Sequence, residues 1–530
     1  MKKIYILISI LLAGFSFVSC ESELDIPKKG NLGGEDDFYK TEEDALQASA
    51  AMYSDLSGLR YNLFGIPTLL SDDCWAGGGN LGDNADFQNL NAYKFGSSNS
   101  TIESLYTGLY SLVYDANLII QRFDGENAAS GIRRSIAEAY FFRGFAHFYL
   151  GLYWGTPPVV DHLLEPSEYA KGNSAPGECY AQAINDIRHA IDMNALPSKE
   201  SVSDAVTGIR VTKETAYAYL GKALLFAGEH QEAVKAFDAV VDSRLYDLYK
   251  GDFGDIMKSV ADMCCESILE AVVVNDPNNF VWNWEMVMGG WRNDCLNFNG
   301  MNHEWRAYLH PHGGYGFFNP RKSLYNAFVE MEGKDGYRLN QSIKTYAFLK
   351  NEIGINVTKN MPGQEGFFSW KNRIIDDEVT ACWGEMDVQN NSNPRFMRYA
   401  EVLLLAAEAN LLAGTGKAAQ YINPVRERAG LAPLSSVTMD DIKKEKRLEL
   451  AGEGIRFHDL VRWGDAPRYL ADQGKQIIMF TTSETTTVCQ DNPSSGFVAG
   501  KHELLPIPEK EMILNPNMVQ NPGWAGSSEE

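Results

Sequence analysis

The sequence lacks long hydrophobic runs except at its start, where residues 4–18 are apolar or small. This run is shorter than the roughly 20 residues that a membrane-spanning helix needs, and it follows Lys2 and Lys3, as the core of a secretory signal does. It ends at Cys20 instead of an A-x-A site, and a bacterial lipoprotein signal needs a cysteine there because its sulfur carries the lipid. We therefore predict a lipoprotein signal over 1–19 and acyl chains, such as palmitate, on Cys20. A plain secretory signal is the lesser alternative.

Positive charge is also scarce, since 47 lysines and arginines face 70 aspartates and glutamates. The formal charge is −23, and it becomes −25 when the leader with Lys2 and Lys3 is removed. Such a chain repels phosphate polymers and anionic headgroups, so we expect no nucleic acid partner and no membrane contact beyond a multiply acylated N-terminus. Residues 20–37 are rich in acids and glycine, and they predict a flexible tether ahead of a single domain over 38–530.

Cysteine is rare and its spacing suits neither a zinc site nor a disulfide framework. No C-x-x-C pair occurs, and the number of cysteines after Cys20 is odd, although one or two bridges stay open as alternatives. We expect these cysteines to be small buried residues. They are Cys74, Cys179, Cys264, Cys265, Cys295, Cys382 and Cys489.

Catalytic signatures are missing as well. The sequence has no G-x-S-x-G elbow, no P-loop, no G-x-G-x-x-G after a strand and no H-E-x-x-H. His310 and His312 form a lone H-x-H, which is weak support for a metal and is typical of a solvated loop. "DNAD" at 83–86 hints at calcium, but it lacks the spaced ligands and terminal glutamate of a calcium loop. We therefore expect no catalytic residue, no metal and no cofactor, with calcium as a weak alternative.

Helical periodicity is the pattern that the sequence has in abundance. Apolar residues recur at helical spacing in the segments 41–59, 100–123, 130–155, 178–193, 212–243 and 398–431. Thr41 is a good N-cap for the first segment, and Gly155 followed by two prolines ends the third. The segment 212–243 divides at "AGEHQ" into two amphipathic halves with small residues on each, which is the layout of a tetratricopeptide helix pair.

We therefore predict a mainly α protein with a tetratricopeptide-like helical repeat scaffold. Its helical blocks should span about 40–245 and 395–465. Between them, about 250–395, the sequence is dominated by glycine, asparagine, proline and aromatic residues, with a plausible strand in "ESILEAVVV" at 266–274. This irregular region is expected to carry the ligand site, because helical scaffolds usually place function in long loops.

Charged residues on the C-terminal helices are interpreted as structural. The spacing of Glu453 with Arg456, and of Asp459 with Arg462, predicts ion pairs three residues apart, near Arg447. Glu401 and Glu408 lie on one apolar helix and could serve acid–base chemistry. We expect them instead to pair with arginines. The candidate arginines are Arg398 and Arg426.

Tryptophan is concentrated in two loop regions. Trp75 lies in a glycine-rich segment, and four more tryptophans fall within 24 residues, between 282 and 305. Flat indole faces suit sugar rings, whose axial C–H groups form apolar patches, and neighbouring polar groups can bond the hydroxyls. We predict a ligand platform here, with a loop core packed around its own aromatics as the alternative. The predicted ligand-binding residues are Asp72, Asp73, Trp75, Asn80, Trp282, Trp284, Trp291, Arg292, Asn293, Trp305 and Tyr315.

Several longer segments resemble one family. They are "RYAEVLLLAAEANLLAG" with "INPVRERAGL", the stretch 438–465 that ends "GEGIRFHDLVRWGD", and "LLPIPEKEMILNPNMVQNPGW" at 504–524. "AEAYFFRGFAHFYLGLYWGTPPVV" and "GGYGFFNPRKSLYNAFVEMEGKDGYRLNQSI" extend the likeness, in the expected order, over essentially the whole mature chain. The chain resembles the SusD/RagB family, the nutrient-binding outer-membrane lipoproteins of Bacteroidetes.

The resemblance implies a non-catalytic lipoprotein that faces the cell exterior, captures oligosaccharides and acts as a lid on a SusC-like TonB-dependent transporter. It also implies a ligand site built from a loop near 70–100 and the irregular middle. Three alternatives stay open. The first is a peptide-binding, RagB-like lid; the second is a glycoside hydrolase that uses Asp72 or Asp73 with a second acid; the third is a tetratricopeptide scaffold that binds only protein.

Overall fold

The computed structural model describes residues 38–525 apart from 124, 126–127, 274–282, 311–313 and 383–386. The predicted signal and tether, with Cys20, Trp282 and His312, lie outside these residues. Within the described part of the chain, no helix has both the length and the apolar character that crossing a membrane requires.

Helices dominate the described residues, and the predicted mainly α fold is confirmed. The first helix begins at Glu42 because Thr41 caps it: the Thr41 hydroxyl accepts from Asp44 N–H at 3.1 Å, and the Asp44 carboxylate accepts from Thr41 N–H at 2.8 Å. The helices are α1 Glu42–Leu69, α2 Ala85–Asn91, α3 Ser100–Arg122, α4 Ser130–Trp154, α5 Glu178–Asp192, α6 Lys213–Phe226, α7 His230–Ser243, α8 Trp284–Gly289, α9 Lys322–Glu332, α10 Tyr337–Ser342, α11 Tyr346–Phe348, α12 Tyr399–Leu412, α13 Ala418–Arg428, α14 Met439–Glu449, α15 Arg456–Arg462, α16 Ala466–Leu470 and α17 Glu509–Leu514.

Successive helices pack against one another, as the tetratricopeptide-like pattern predicts. Contacts run from α3 to α4, α4 to α5, α5 to α6 and α6 to α7. The stack then continues from α7 to α12, which begins more than 150 residues later, and from α12 to α13. Gly221 on α6 shows why small residues matter at these contacts, because a Cβ there would lie 2.6 Å from the Phe237 ring of α7. The irregular region is therefore an insertion between neighbouring helices of one stack.

Short antiparallel strands make up the ordered part of the irregular region and the C-terminal loops. The predicted strand at 266–274 is present as β2, Ser267–Glu270. It pairs with β11, and the other ladders join β1 to β4, β3 to β6, β5 to β8, β9 to β10, and β12 to both β13 and β7. The other strands are β1 Cys74–Gly77, β3 Leu296–Asn297, β4 Phe317–Pro320, β5 Ile343–Thr345, β6 Asn356–Val357, β7 Met361–Pro362, β8 Phe367–Ser369, β9 Val379–Cys382, β10 Asp387–Asn390, β11 Arg395–Arg398, β12 Gln476–Phe480 and β13 Thr486–Asp491.

A buried ion-pair network joins the helical stack to the irregular region. At its centre, Arg398 Nη1 lies 2.6 Å from Glu266 Oε1 and 2.6 Å from Glu449 Oε1, and Arg398 Nη2 lies 2.7 Å from Glu453 Oε1. Burial acts to raise the pKa of Glu449, but the charges of Arg428 and Arg398 outweigh it and hold this pKa well below its usual range. Glu449 is therefore ionised at neutral pH. The other members of the network are Glu332, Arg338, Lys371, Arg426, Arg428 and Glu445.

The C-terminal pairing predicted from spacing is correct for one pair and wrong for the other. Asp459 and Arg462 do form an ion pair, at 3.0 Å. Glu453 instead binds Arg398, and Arg456 reaches an N-terminal loop. Helical spacing fails here because the helix ends at Glu449 and the next begins at Arg456, so Glu453 lies in the turn between them.

The structural interpretation of the two acids on α12 is confirmed, although the arginines expected as partners are wrong. Glu401 lies 2.8 Å from Lys222 Nζ of α6, and Glu408 lies 2.6 Å from Arg462 of α15. Both carboxylates are buried and paired with cations from neighbouring helices, so they brace the stack.

The cysteines only partly match the expectation of buried residues. Cys74, Cys179 and Cys295 are buried, and the remaining three thiols with a described side chain are half-buried. Those three are Cys264, Cys265 and Cys489, and all six are free thiols.

Candidate functional site

A partly exposed aromatic patch forms where an N-terminal loop meets the irregular region. Its rings are Trp284, 42% exposed, and Tyr315, 38% exposed, with Asn80, Arg292 and Asn293 as polar neighbours. Backbone bonds bring these segments together, because Tyr315 N–H donates to the Val287 carbonyl of α8 at 3.0 Å. These five residues are called the aromatic patch below.

Arg292 fixes the N-terminal loop to the rest of the patch. Its Nη1 donates to Asp83 Oδ2 at 2.9 Å and to the Tyr315 carbonyl at 3.1 Å, and its Nε donates to Asp294 at 2.6 Å. The guanidinium lies directly on Gly79, where an added Cβ would be 2.4 Å from Arg292 Cζ. The glycine beside Asn80 is therefore needed for this close approach.

The Trp284 ring of the patch packs against the helical stack. The Trp284 ring lies 6.4 Å, between centroids, from Tyr61 on α1, and Tyr61 lies 5.9 Å from Phe87 on α2. Phe87 in turn packs on Phe317 of β4, with ring centroids 5.6 Å apart. Trp284 thus lies on a series of packed aromatic rings and is itself partly open to solvent.

Two predicted platform residues, Trp75 and Trp291, are buried, each only 5% exposed. Trp75 Nε1 donates to Glu365 at 3.0 Å, and Arg321 Cζ lies 3.5 Å from the centre of its ring. Trp291 Nε1 donates to the Ser369 carbonyl at 2.9 Å. Both indoles therefore have structural partners, and little of either side chain is left for a ligand.

Asp72 and Asp73 are also interior residues. Asp72 lies 2.9 Å from both Arg447 and Arg456, and Asp73 lies 2.7 Å from Arg447. Burial acts to raise the pKa of Asp72, but the charges of Arg447 and Arg456 outweigh it and keep this pKa below its usual value. These contacts clamp α14 and α15 to the loop before β1. They do not place a carboxylate where a glycosidic bond could reach it.

Replacement of Asp72 by asparagine is expected to lower the free energy of unfolding by about 2 kcal/mol. The change leaves Arg456 buried without its carboxylate, while Arg447 keeps Asp73, so the loss should be smaller than that for a fully orphaned charge. Denaturant titration measures it, and the matched control is Asp472→Asn, whose side chain is 87% exposed. An unchanged free energy of unfolding in Asp72→Asn would contradict this structural role.

Trp305 belongs to a second aromatic surface. Its ring lies 5.8 Å from that of Tyr308, which is 51% exposed, and 6.0 Å from that of the buried Trp370. Trp370 also lies 6.0 Å from Trp291, so it separates the two. The tryptophans that are close in sequence therefore point to different places: Trp284 to the aromatic patch, Trp291 to the core and Trp305 to the second surface.

The weak metal candidates have other partners. His310 Nδ1 lies 2.5 Å from Asp376, and Asp83 holds Arg292. Asp86 accepts from Ser100 N–H at 3.0 Å, and Asn84 caps α2. Among the described residues, no three His, Cys, Asp or Glu side chains come together in a way that could hold a metal ion.

Glu285 anchors α8 beneath the patch. It follows Trp284 directly, and its carboxylate lies 2.9 Å from Arg60 Nε of α1, without the alignment of a hydrogen bond. Both side chains are nearly buried. Burial raises the pKa of Glu285 to about 7, in spite of the opposing charge of Arg60.

This raised pKa predicts a pH-dependent stability. The folded protein holds the Glu285 proton more tightly than the unfolded chain does, so the contribution is fully present below about pH 4.5 and is lost as the pH rises through about 7. Between these limits, the unfolding free energy of the wild type should fall by about 2–3 kcal/mol relative to that of Glu285→Gln. Denaturant titrations at several pH values test this, and a constant difference would contradict it.

The sequence does not indicate that two residues, Tyr61 and Asp83, belong to the site. Tyr61 lies within a long helix and looks like an ordinary core position, because only the tertiary structure brings Trp284 against it. Asp83 was assigned to a possible calcium turn, and no local pattern indicates that its partner is Arg292, 209 residues away.

The fold and the patch define a helical-repeat protein that presents an aromatic and polar surface from inserted loops. Comparison with known proteins shows what this chain is similar to. A model of the SusD family matches residues 372–524, and a second, described as "Starch-binding associating with outer membrane", matches residues 77–225. In both of these segments the chain is similar to the SusD/RagB family.

Similar proteins match nearly the whole chain. "SusD-like protein P2" of Formosa agariphila is 26% identical, over 99% of this chain and 100% of its own length. Among solved structures, a "Laminarin binding SusD-like protein" has a TM-score of 0.76 at 28% identity, over 92% of this chain and 100% of its own. "Surface glycan-binding protein A from Bacteroides uniformis" has a TM-score of 0.71 at 26% identity, over 91% and 99%.

Proposed function

We propose that this protein is a non-catalytic glycan-binding lipoprotein on the outer face of the outer membrane, which passes oligosaccharides to a SusC-like TonB-dependent transporter. The observation that carries the proposal is the aromatic patch on a SusD-like fold. Trp284 and Tyr315 offer partly exposed rings, Arg292 donates to the Tyr315 carbonyl, and the exposed Asn80 and Asn293 lie on the adjoining segments. This is the combination that sugar rings require, namely apolar faces to stack on and polar groups for the hydroxyls.

Each residue of the patch has a proposed role. Trp284 and Tyr315 stack against sugar rings. Asn80 and Asn293 are exposed amides that bond hydroxyl groups, and Arg292 keeps the loop that carries Asn80 in position. We propose no ligand for the second surface, around Trp305 and Tyr308.

The preferred ligand is a neutral glycan, and laminarin is the first to test. The solved laminarin-binding relative is 28% identical to this chain over almost its full length, which supports the choice. The net charge of −23 opposes polyanions, because a strongly acidic protein repels an acidic polymer at low ionic strength.

Native affinity electrophoresis of residues 21–530 tests the proposal. Gels contain laminarin, starch or an acidic polysaccharide such as polygalacturonate, and a gel without polysaccharide is the reference. We expect retardation by laminarin and none by the acidic polymer. The circular dichroism spectrum must first show that the protein is folded. Unchanged migration of the folded protein in every gel would then overturn the proposal.

The hydrolase alternative is tested with the same ligand. Incubation of the protein with laminarin should release no reducing ends, because the carboxylates of Asp72 and Asp73 are neutralised by Arg447 and Arg456. Release that persists through repeated purification, and that Asp72→Asn abolishes, would favour an enzyme.

The lipid anchor on Cys20 is a separate prediction. In cells fed an alkyne-labelled fatty acid, the wild-type protein should take up label and sediment with outer membranes. Cys20→Ser should lose the label and leave the membrane fraction. Each buried methylene of an acyl chain contributes about 0.8 kcal/mol of membrane-binding free energy, and the variant loses all of these contributions. Cys489→Ser is the matched control and should behave as the wild type. Unchanged labelling of Cys20→Ser would contradict the prediction.

A further inference from the structure

Cys264 and Cys265 are adjacent in the sequence and lie in the turn that leads into β2. Ser267 N–H donates to the Cys264 carbonyl at 3.1 Å, which closes the turn, and Asp247 N–H donates to the Cys265 carbonyl at 3.0 Å. Both thiols are free and half-buried, so reagents can reach them. The pair differs from the three buried cysteines in this exposure, and from the half-buried Cys489 in having a second cysteine next to it in the sequence.

The two thiols belong to consecutive residues, and each affects the pKa of the other. A hydrogen bond from the Cys264 thiol to the Cys265 sulfur lowers the pKa of Cys265 and raises that of Cys264. Glu266 N–H also points to Cys264 Sγ, at 3.4 Å. One sulfur of the pair is therefore favoured as the thiolate, which is the reactive form in thiol–disulfide exchange, and a second thiol lies directly beside it.

Charged groups of both signs face the pair. The cations favour a thiolate and the carboxylates oppose it, so the hydrogen bond between the two thiols is what distinguishes one sulfur from the other. The charged neighbours are Lys199, Asp247, Lys250, Glu266 and Arg395.

A bond between adjacent cysteines closes a strained ring. Neighbouring Cα atoms are about 3.8 Å apart, whereas the Cα atoms of ordinary disulfides are about 4.4–6.8 Å apart. Strained disulfides are more easily reduced than structural ones. The geometry therefore suits a bond that forms and breaks, and it does not suit a permanent cross-link.

We propose that Cys264 and Cys265 form a redox-active vicinal dithiol, which closes to a disulfide by exchange with a disulfide oxidant and, when reduced, binds thiophilic trivalent arsenicals. The site is distinct from the aromatic patch and does not depend on the glycan-binding proposal. Because Glu266 follows the pair and binds Arg398, closure would act next to the buried ion-pair network.

The exchange balances in two steps. The Cys265 thiolate attacks one sulfur of the oxidant, breaks its S–S bond and releases one thiolate. The Cys264 thiolate then attacks Cys265 Sγ in the mixed disulfide, forms the Cys264–Cys265 bond and releases the second thiolate. Two thiols of the protein are oxidised, one disulfide of the oxidant is reduced to two thiols, and the two protein protons pass to the released thiolates.

Tryptic mapping reads the pair directly, because the peptide 259–292 contains Cys264 and Cys265 and no other cysteine. Reduced protein of residues 21–530 is treated with oxidised glutathione, quenched in acid, denatured, alkylated and digested. We expect this peptide to be unalkylated and 2 Da lighter than its reduced form, while Cys74, Cys179 and Cys295 are alkylated. A peptide alkylated at both cysteines, or one that keeps glutathione, would overturn the proposal.

Phenylarsine oxide provides the second test. Each arsenic should bond both sulfurs with loss of one water, so the reduced protein takes up one equivalent and peptide 259–292 becomes resistant to alkylation. Cys264→Ser and Cys265→Ser should each lose this uptake at least tenfold, whereas Cys489→Ser, the half-exposed control, should retain it. Uptake that is unchanged in both single variants would overturn the assignment.

Discussion

Trp284→Ala combined with Tyr315→Ala is expected to remove the retardation by laminarin. If each ring contributes about 1.5 kcal/mol of stacking, as interface aromatics of this size do, the double variant loses about 3 kcal/mol of binding free energy, or roughly a hundredfold in affinity. Isothermal titration calorimetry with an oligosaccharide prepared from laminarin measures the loss. Each single variant should account for about half of it, because each removes one of the two rings.

The matched controls are aromatic residues exposed elsewhere. Tyr114 on α3, 57% exposed, and Tyr169, 66% exposed, can be replaced by alanine without touching the patch. Trp284→Phe should keep more affinity than Trp284→Ala because a flat ring remains. If the controls weaken binding as much as the patch variants do, or if the double variant binds normally, the patch is not the ligand site.

Replacement of Arg398 by methionine should lower the free energy of unfolding by about 3–5 kcal/mol. The change removes the cation shared by Glu266, Glu449 and Glu453, and leaves buried carboxylates facing one another. Methionine fills a similar space, so the loss reports charge more than volume. A denaturant titration at pH 7 measures it, and Arg188→Met, whose side chain is 42% exposed, is the control that should change stability little.

The pH dependence of this loss separates charge from packing. In the variant the orphaned carboxylates can take up protons, so the difference from the wild type should shrink as the pH falls from 7 towards 5. In the wild type the pKa of Glu449 is held low. The stabilisation from ionised Glu449 is therefore lost only when the pH falls below the usual pKa of a glutamate side chain. A deficit that is the same at both pH values would indicate a packing defect.

The helices were predictable because their signals are local. Thr41 with Asp44 marks a helix start, and the small residues around Gly221 mark a close helix pair, and both patterns lie within a few residues. The ion-pair partners were not predictable in this way. Asp72 meets Arg447 from a distance of 375 residues, and a spacing rule that holds within one helix cannot anticipate such a pair.

The candidate site shows the same limit. The density of tryptophan points to the region between 282 and 305, but loops have no period that tells which way a side chain points. Trp284 begins α8 and faces Tyr61, whereas Trp291 turns inward to donate to the Ser369 carbonyl. Backbone pairing across hundreds of residues decides between these outcomes.

A crystal structure of the protein with a laminarin oligosaccharide tests the central claim most directly. The account predicts sugar rings stacked on Trp284 and Tyr315, with hydroxyl groups bonded to Asn80 and Asn293. Density for the ligand against Trp305 and Tyr308 alone, or between the carboxylates of Asp72 and Asp73, would contradict it.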